Sequence, residues 1–294
     1  MTRSPITPPP SDALVEPTFP STNERSVDIR MVAIDLDGTL LNSKKQVSEQ
    51  TVQALKCLQK RHVRIVIASA RPPRSVRPTY QLLELDTLQI NYNGALIWND
   101  PEKSPVFHRP IKGELAMRMI DLARDQYEEV IVHCEVMDRW CTDRVDDAYT
   151  TETGRLFQPD EVAELSTFCE EPITKLMFLG DPRIISRLEP LLLEEFSREV
   201  TIVRQDDELL QIMDHRVSKA VALRKLAKFY GVPMEQVMAI GDAPNDVGML
   251  QLSGVAVAME NAHKVVKKVA HWVAPSNDAH GVHAALVRYG LCDQ

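Results

Sequence analysis

The sequence predicts an α/β fold: a doubly wound parallel sheet into which a second, α+β domain is inserted. Three observations predict it. Short apolar runs alternate with amphipathic helical stretches at both ends of the chain. Polar, chemistry-bearing residues stand just after those apolar runs. The stretch between the two ends is less regular, mixing strand-like and helix-like segments.

Residues 29–34 are a short apolar run with the pattern of a buried strand, and they stop at Asp35-Leu36-Asp37-Gly38-Thr39. Residues 49–60 read as a helix, with Ser48 placed to cap it and Val52, Leu55 and Leu58 on one face. Residues 63–68 give a second buried strand, ending at Ser69. Strand, helix, strand is a βαβ unit, which implies a parallel sheet with a right-handed crossover. A further short strand at 88–91 ends at Asn93-Gly94. The C-terminal part repeats this grammar. A helix spans 217–230, Gly231 stops it and Pro233 follows. A strand at 237–240 ends at Gly241-Asp242, and another apolar run lies at 255–258.

The middle has strand-like runs at 130–132, 175–179 and 209–213, and helical ones at 115–124 and 184–196. We therefore expect a core from 29–94 and 214–294, with 95–213 inserted as a cap. The first 28 residues carry six prolines, many Ser and Thr, and few large apolar residues. Such a segment buries too little apolar area to offset its ordering entropy, so a disordered tail is expected. It lacks the basic start and apolar stretch of a secretory signal.

Composition narrows the function. With 34 basic and 42 acidic residues the formal charge is −8, which argues against nucleic acid or an anionic membrane as partner. A small anionic substrate needs only one local cluster of positive charge. No apolar run approaches the roughly 18 residues of a membrane helix. The five cysteines are odd in number and widely spaced without C-x-x-C, so reduced thiols in the cytoplasm are expected.

In an open parallel sheet, ligands bind beyond the carboxyl ends of the strands. Asp35 and Asp37, Ser69, Lys219 and Asp242 would converge there. Asp35 and Asp37 stand two apart at a strand end and suit nucleophile and general acid/base, although a bare D-x-D-G also serves as a capped turn. Asp242, Asn245 and Asp246 follow another strand end. Asp35, Asp37 and Asp242 crowd negative charge that needs a counter-ion, and an all-oxygen set suits Mg²⁺. Ser69 with free backbone N–H groups can hold a phosphate oxygen. Lys219 in a first helical turn is unfavourable to the helix dipole, which suggests an anion held there.

These residues resemble the haloacid dehalogenase superfamily of phosphatases, in its Cof-like, type IIB branch. The first motif is similar to residues 35–41, the second to Ser69-Ala70-Arg71-Pro72, the third to Lys219, and the fourth to residues 241–250. Asn93-Gly94-Ala95 and Ser276-Asn277-Asp278 with Gly281-Val282 are similar as well, so the resemblance spans about residues 29–288. It implies a core of that superfamily with a C2B-type cap, and a Mg²⁺-dependent hydrolase of small phosphate esters, sugar phosphates among them.

Residue by residue, the resemblance implies that Asp35 attacks phosphorus. Asp37 protonates the leaving oxygen and then activates water, a neighbouring carboxylate raising its pKa. Asp35, the main-chain carbonyl of Asp37 and Asp242 hold the metal. The Leu36 and Ala70 N–H groups, Ser69, Lys219 and Asn245 hold the phosphoryl oxygens, with Asp246 orienting Lys219 and Arg71 nearby. Ala70, Ala220 and Ala279-His280 depart from the family pattern without removing a catalytic group. A phosphomutase or phosphotransferase, or a non-catalytic phosphometabolite-binding protein, are the alternatives. Monomer and homodimer stay open.

His280 and His283 are expected at a helix end rather than on a metal. Trp98, Trp140 and Trp272 are expected in packing, and Arg139, Asp143 and Arg144 on a charged surface.

Overall fold

A computed structural model describes residues 28–146, 148–151 and 153–292. The expected tail lies outside these apart from Asp28, whose carboxylate accepts hydrogen bonds from Arg30 and Gln236. In chain order the first segment holds β1 (Met31–Ile34), α1 (Glu49–Lys60), β2 (Arg64–Ile67), α2 (Pro73–Leu83), β3 (Gln89–Asn91), β4 (Leu96–Asn99) and β5 (Ser104–His108). The middle holds α3 (Gly113–Gln126), β6 (Ile131–Val136), β7 (Arg139–Thr142), β8 (Glu161–Val162), α4 (Leu165–Phe168), β9 (Lys175–Leu179), α5 (Pro182–Phe196), β10 (Val200–Asp206) and β11 (Leu209–Asp214). The last segment holds α6 (Lys219–Phe229), β12 (Val237–Gly241), α7 (Val247–Leu252), β13 (Val255–Met259), α8 (Lys264–Lys267), β14 (Trp272–Ala274) and α9 (Gly281–Arg288).

The core sheet runs β14-β13-β12-β1-β2, every neighbour parallel. A parallel bridge between Ala68 and Ile90 carries it on to β3. All four residues of β1 and all five of β12 are buried, as strands covered on both faces must be. Chain order reverses between β1 and β12: from β1 the sheet grows towards β2, from β12 towards β13 and β14. That is the switch point where such sheets open a crevice. The register sets Ile34 beside Ile240, so the loops carrying Asp35 and Asp242 leave the sheet side by side.

Local signals explain the helices nearest the crevice. The Ser48 side chain accepts from the Thr51 N–H, and α1 buries Ala54, Leu55 and Leu58. Ser218 caps α6 by accepting from Val221, and Gly231 ends that segment at φ +66°.

The middle segment folds as a six-stranded sheet, β10-β11-β9-β6-β7-β8, antiparallel except between β7 and β8. Its apolar cluster runs from Ile111 to Ile212 and packs one sheet face under α3 and α5, apart from the core cluster. The β4–β5 hairpin pairs with β3, and Ile97 belongs to the core cluster. Among the described residues no helix is long and apolar enough to cross a membrane.

Candidate active site

The first loop is held from both sides. Asp35 donates its N–H to the Ile240 carbonyl at 3.0 Å, and the Leu40 and Leu41 N–H groups turn back onto the carbonyls of Asp35 and Leu36. Gly38 sits at φ +78°, and a Cβ there would strike the Asp242 carboxylate. Only glycine accepts both the backbone conformation and the approach. Asn261 donates to the Gly38 carbonyl and Asn277 to that of Leu41, while Asp278 accepts from the Ser43 N–H. The segment near residues 276–278 therefore braces the first loop.

Lys219 reaches across from the first turn of α6. Its Nζ donates to Asp35 Oδ1 at 2.5 Å and to Asp246 Oδ1 at 2.7 Å. Asp246 Oδ2 accepts the N–H groups of Asp242 and Ala243, each at 3.0 Å. Both oxygens of Asp246 are thus used, one to fix the lysine and one to fix the loop. Thr39 donates its hydroxyl to Asp242 Oδ1 at 2.7 Å.

Asp35, Asp242 and Asp246 bring one oxygen each within 4.8 Å of one another. Burial pushes the Asp35 pKa well above the ordinary carboxylate range, with the charges of Asp246 and Asp242 adding to it and Lys219 opposing. Burial and Asp246 raise Asp242 too, against the Thr39 hydrogen bond. Burial alone would lower the Lys219 pKa, but Asp35 and Asp246 outweigh it and hold the ammonium charged. Three carboxylates against one lysine leave excess negative charge, and the oxygens of Asp35 and Asp242 fit a hard divalent cation. Asp246 already accepts three hydrogen bonds, from Lys219 and from the Asp242 and Ala243 N–H groups.

Asp37 is treated differently from the sequence expectation. Arg71 donates from Nε to Oδ2 at 2.6 Å and from an Nη to Oδ1 at 2.5 Å, and Lys45 donates to Oδ1 at 2.8 Å. Burial pulls its pKa up, but the hydrogen bonds from Arg71 and Lys45 prevail and hold it below the usual range. The expectation that a neighbouring carboxylate raises Asp37 is therefore corrected: two cations face it first. Lys45 was invisible in the sequence because it enters through a turn at φ +58°.

Ser69 is buried, its N–H on the Ile90 carbonyl and its hydroxyl accepting from the Arg71 N–H at 3.1 Å. Ala70 follows it half-buried, and Leu36 is fully buried beside Asp35. Asn245 donates to Asn93 Oδ1 at 2.8 Å, and the Asn93 N–H reaches the Ser69 carbonyl at 3.0 Å. Asn93 is thus the joint between the second and fourth loops. Next to it Gly94, at φ +99°, lies so close to the Ser218 carbonyl that a Cβ would not fit, which seats this turn against the start of α6. The structure gathers Asp35, Asp37, Ser69, Arg71, Lys219, Asp242, Asn245 and Asp246 around one crevice.

The remaining candidates stay apart from it. His280 sits at φ +58° ahead of α9. Trp98 and Trp140 are buried, and Trp272 stacks under Arg288. Arg139 pairs with Glu161 and Glu171, Asp143 with Arg124, and Arg144 donates to the carbonyls of Glu128 and Val130. Arg139 thus lies on the charged surface as expected, while the half-buried Asp143 and Arg144 tie segments of the insert together.

Comparison with known proteins agrees with this geometry. The profile of the haloacid dehalogenase-like hydrolases matches residues 32–286. The chain is 28% identical to the 5-amino-6-(5-phospho-D-ribitylamino)uracil phosphatase YitU of Bacillus subtilis, over 88% of this chain and 97% of that protein. It is 30% identical to the phosphatase YwpJ of the same bacterium, over 86% of this chain and 97% of that one. Among solved structures, a haloacid dehalogenase-like hydrolase from Bacteroides thetaiotaomicron superposes with a TM-score of 0.80 at 28% identity, covering 88% of this chain and 99% of that one. The chain belongs to the haloacid dehalogenase-like hydrolases, in their Cof-like branch, and is a phosphatase of phosphoric monoesters.

Proposed function

We propose that this phosphatase is Mg²⁺-dependent and hydrolyses small phosphorylated metabolites, sugar and polyol phosphates among them, through an aspartyl-phosphate on Asp35. One observation carries the reading: buried Lys219 bridges Asp35 and Asp246 at the sheet's switch point, beside Asp242. Phosphoryl transfer asks for charge neutralisation and in-line positioning more than for covalent effort.

In this reading Asp35 is the nucleophile, and Lys219 stabilises the charge on the phosphoryl oxygens. The Ser69 hydroxyl, the Asn245 amide and the N–H groups of Leu36 and Ala70 direct those oxygens. Mg²⁺, held by the Asp35 and Asp242 carboxylates and the Asp37 main-chain carbonyl, would offset the negative charge of the site and the ester. Asp37 is the acid and base. Held ionised by Arg71 and Lys45, it is ready to take a proton from water. To protonate a leaving oxygen it must first lose that grip. An incoming phosphoryl dianion competes for the same two cations, and ceding them returns the carboxyl towards its ordinary range.

Residues 29–94 and 214–294 serve as the core and 95–213 as the insert, whose cap sheet covers the crevice. Two Bacillus subtilis relatives carry the name of a phosphoribitylaminouracil phosphatase, which supports a phosphorylated polyol as substrate. The free thiols of Cys57, Cys134, Cys141 and Cys169 suit a reducing cytoplasm. The test is Asp35→Asn. It should abolish phosphate release and the acid-stable, hydroxylamine-sensitive acyl-phosphate, and retained turnover would overturn the reading. Transfer of phosphate to a second hydroxyl, in place of release, would mark a phosphotransferase.

A further inference from the structure

The cap sheet meets helix α2 through the turn between β6 and β7. Asp138 stands in that turn, after Met137 at φ +56°. Its Oδ1 accepts the Arg74 N–H at 2.7 Å, its Oδ2 accepts from an Nη of Arg77 at 2.7 Å, and its carbonyl accepts from an Nη of Arg74 at 3.2 Å. Helix α2 starts after Pro72, whose side chain makes no capping bond. The first N–H groups of a helix need an acceptor from outside it. Here that acceptor comes from the cap sheet, 64 residues away in sequence. Glu135 adds a second hold, accepting from the Arg74 guanidinium at 2.7 and 2.8 Å, and both of these side chains are buried.

Two routes lead from these residues to Arg71. Along the chain, Pro72 and Pro73 stand between Arg71 and the anchored Arg74. Their rings lock two successive φ angles, so little slack separates the two arginines. Across space, the route is Tyr92, which is fully buried. Its hydroxyl lies 2.7 Å from the Met137 carbonyl and 3.0 Å from Glu135 Oε2, and its own N–H donates to the Arg71 carbonyl at 3.3 Å. Arg71 in turn carries the fork on Asp37. A side chain that must hold a reacting group to a fraction of an ångström needs its main chain fixed in this way.

We propose that Asp138, Glu135 and Tyr92 are positioning residues for the reaction: docked on the start of α2, the β6–β7 turn sets where the Arg71 fork stands on Asp37. Proton transfer at Asp37 then depends on the cap sheet by way of Arg71. This assignment rests on Asp37 being the acid and base, as proposed above, and names what orders its partner. Bonds that only held the two parts of the chain together would act on stability and would not act through Arg71.

Asp138→Ala and Tyr92→Phe each remove one route, and para-nitrophenyl phosphate reports the rate, measured well below each melting temperature. Each variant should lower kcat about fivefold and leave KM within about twofold of wild type. In an Arg71→Met background neither should lower kcat further, because the residue they act through is gone. A loss of folded protein would lower kcat equally in both backgrounds, so the cycle separates the two roles. The same loss in the Arg71→Met background, or a wild-type kcat in both single variants, would overturn the proposal. Asp37→Asn distinguishes the two levels. Normal turnover in that variant removes the acid–base role of Asp37 and this coupling with it. An inactive Asp37→Asn beside fully active Asp138→Ala and Tyr92→Phe removes the coupling alone.

Discussion

Arg71 grips Asp37 with both arms of its guanidinium, at 2.6 and 2.5 Å, one residue beyond the loop that carries Ser69-Ala70. A fork of this kind fixes direction as well as charge, which a lysine does not. Arg71→Lys should therefore keep the fold and lose about tenfold in kcat, since the fork must hold Asp37 while it takes a proton from water and turn to the phosphoryl group while it gives one. Arg71→Met should lose more. The half-exposed pair contributes only about 1 kcal/mol to stability, so melting temperatures should barely move. Full activity in Arg71→Lys would show that charge alone matters there.

Lys219 is buried between Asp35 and Asp246 with both bonds made, so its removal strands two carboxylates. Breaking a buried pair in this way costs about 3–5 kcal/mol. Lys219→Met should lower the melting temperature by roughly 10 °C and abolish turnover. Adding Asp246→Asn to that variant should restore part of the stability and none of the activity. A variant that melts like wild type would mean the lysine is not the counter-charge described.

Much of this was legible in the residues, and the gaps have physical causes. The bounds of α1 and β9 follow from their apolar pattern alone, and so does the alternation that yields the parallel core. Helix α2 does not, because it starts at Pro73, contains Pro78 and buries Arg74. Arg74 reads as a surface residue, yet Glu135 from the cap neutralises it, a contact 61 residues away in sequence. The hairpin β4–β5 escapes notice for a similar reason: its partner is β3, and its outer strand is half-exposed. At the site, the order of the four motifs located the aspartates and Lys219. The partners of Asp37 were out of reach, since Lys45 enters through a left-handed turn and Arg71 through the geometry of a strand end.

The carboxylate cluster predicts a measurable response to metal. Mg²⁺ should raise the melting temperature of the wild-type protein, by mass action worth about 2.7 kcal/mol at a hundredfold excess over Kd. Chelation should return it to the starting value. Asp242→Asn should abolish the rise. Gly38→Ala should weaken it as well, because a Cβ at that position meets the Asp242 carboxylate and the φ of +78° strains any other residue. An Asp242→Asn protein with an undiminished Mg²⁺ response would place the cation elsewhere.

His133 gives the clearest dependence on pH. Burial, then the charge of Lys175, lowers its pKa to about 4 in the folded protein, against 6.5 for the unperturbed imidazole. Between those two values the unfolded chain binds the proton and the folded chain does not. Stability must therefore fall as pH drops from 6.5 towards 4, and it is fully retained above that window. The shift corresponds to about 3 kcal/mol once pH is below both values. His133→Gln carries no such proton. Its melting temperature, followed from pH 7.5 to 4, should decline less steeply than that of wild type, with the two curves separating below pH 6.5. Carboxylates with shifted pKa values act on both proteins alike, so the difference between the curves reports His133. Parallel curves would mean that the folded cap leaves the pKa of this imidazole where the unfolded chain has it.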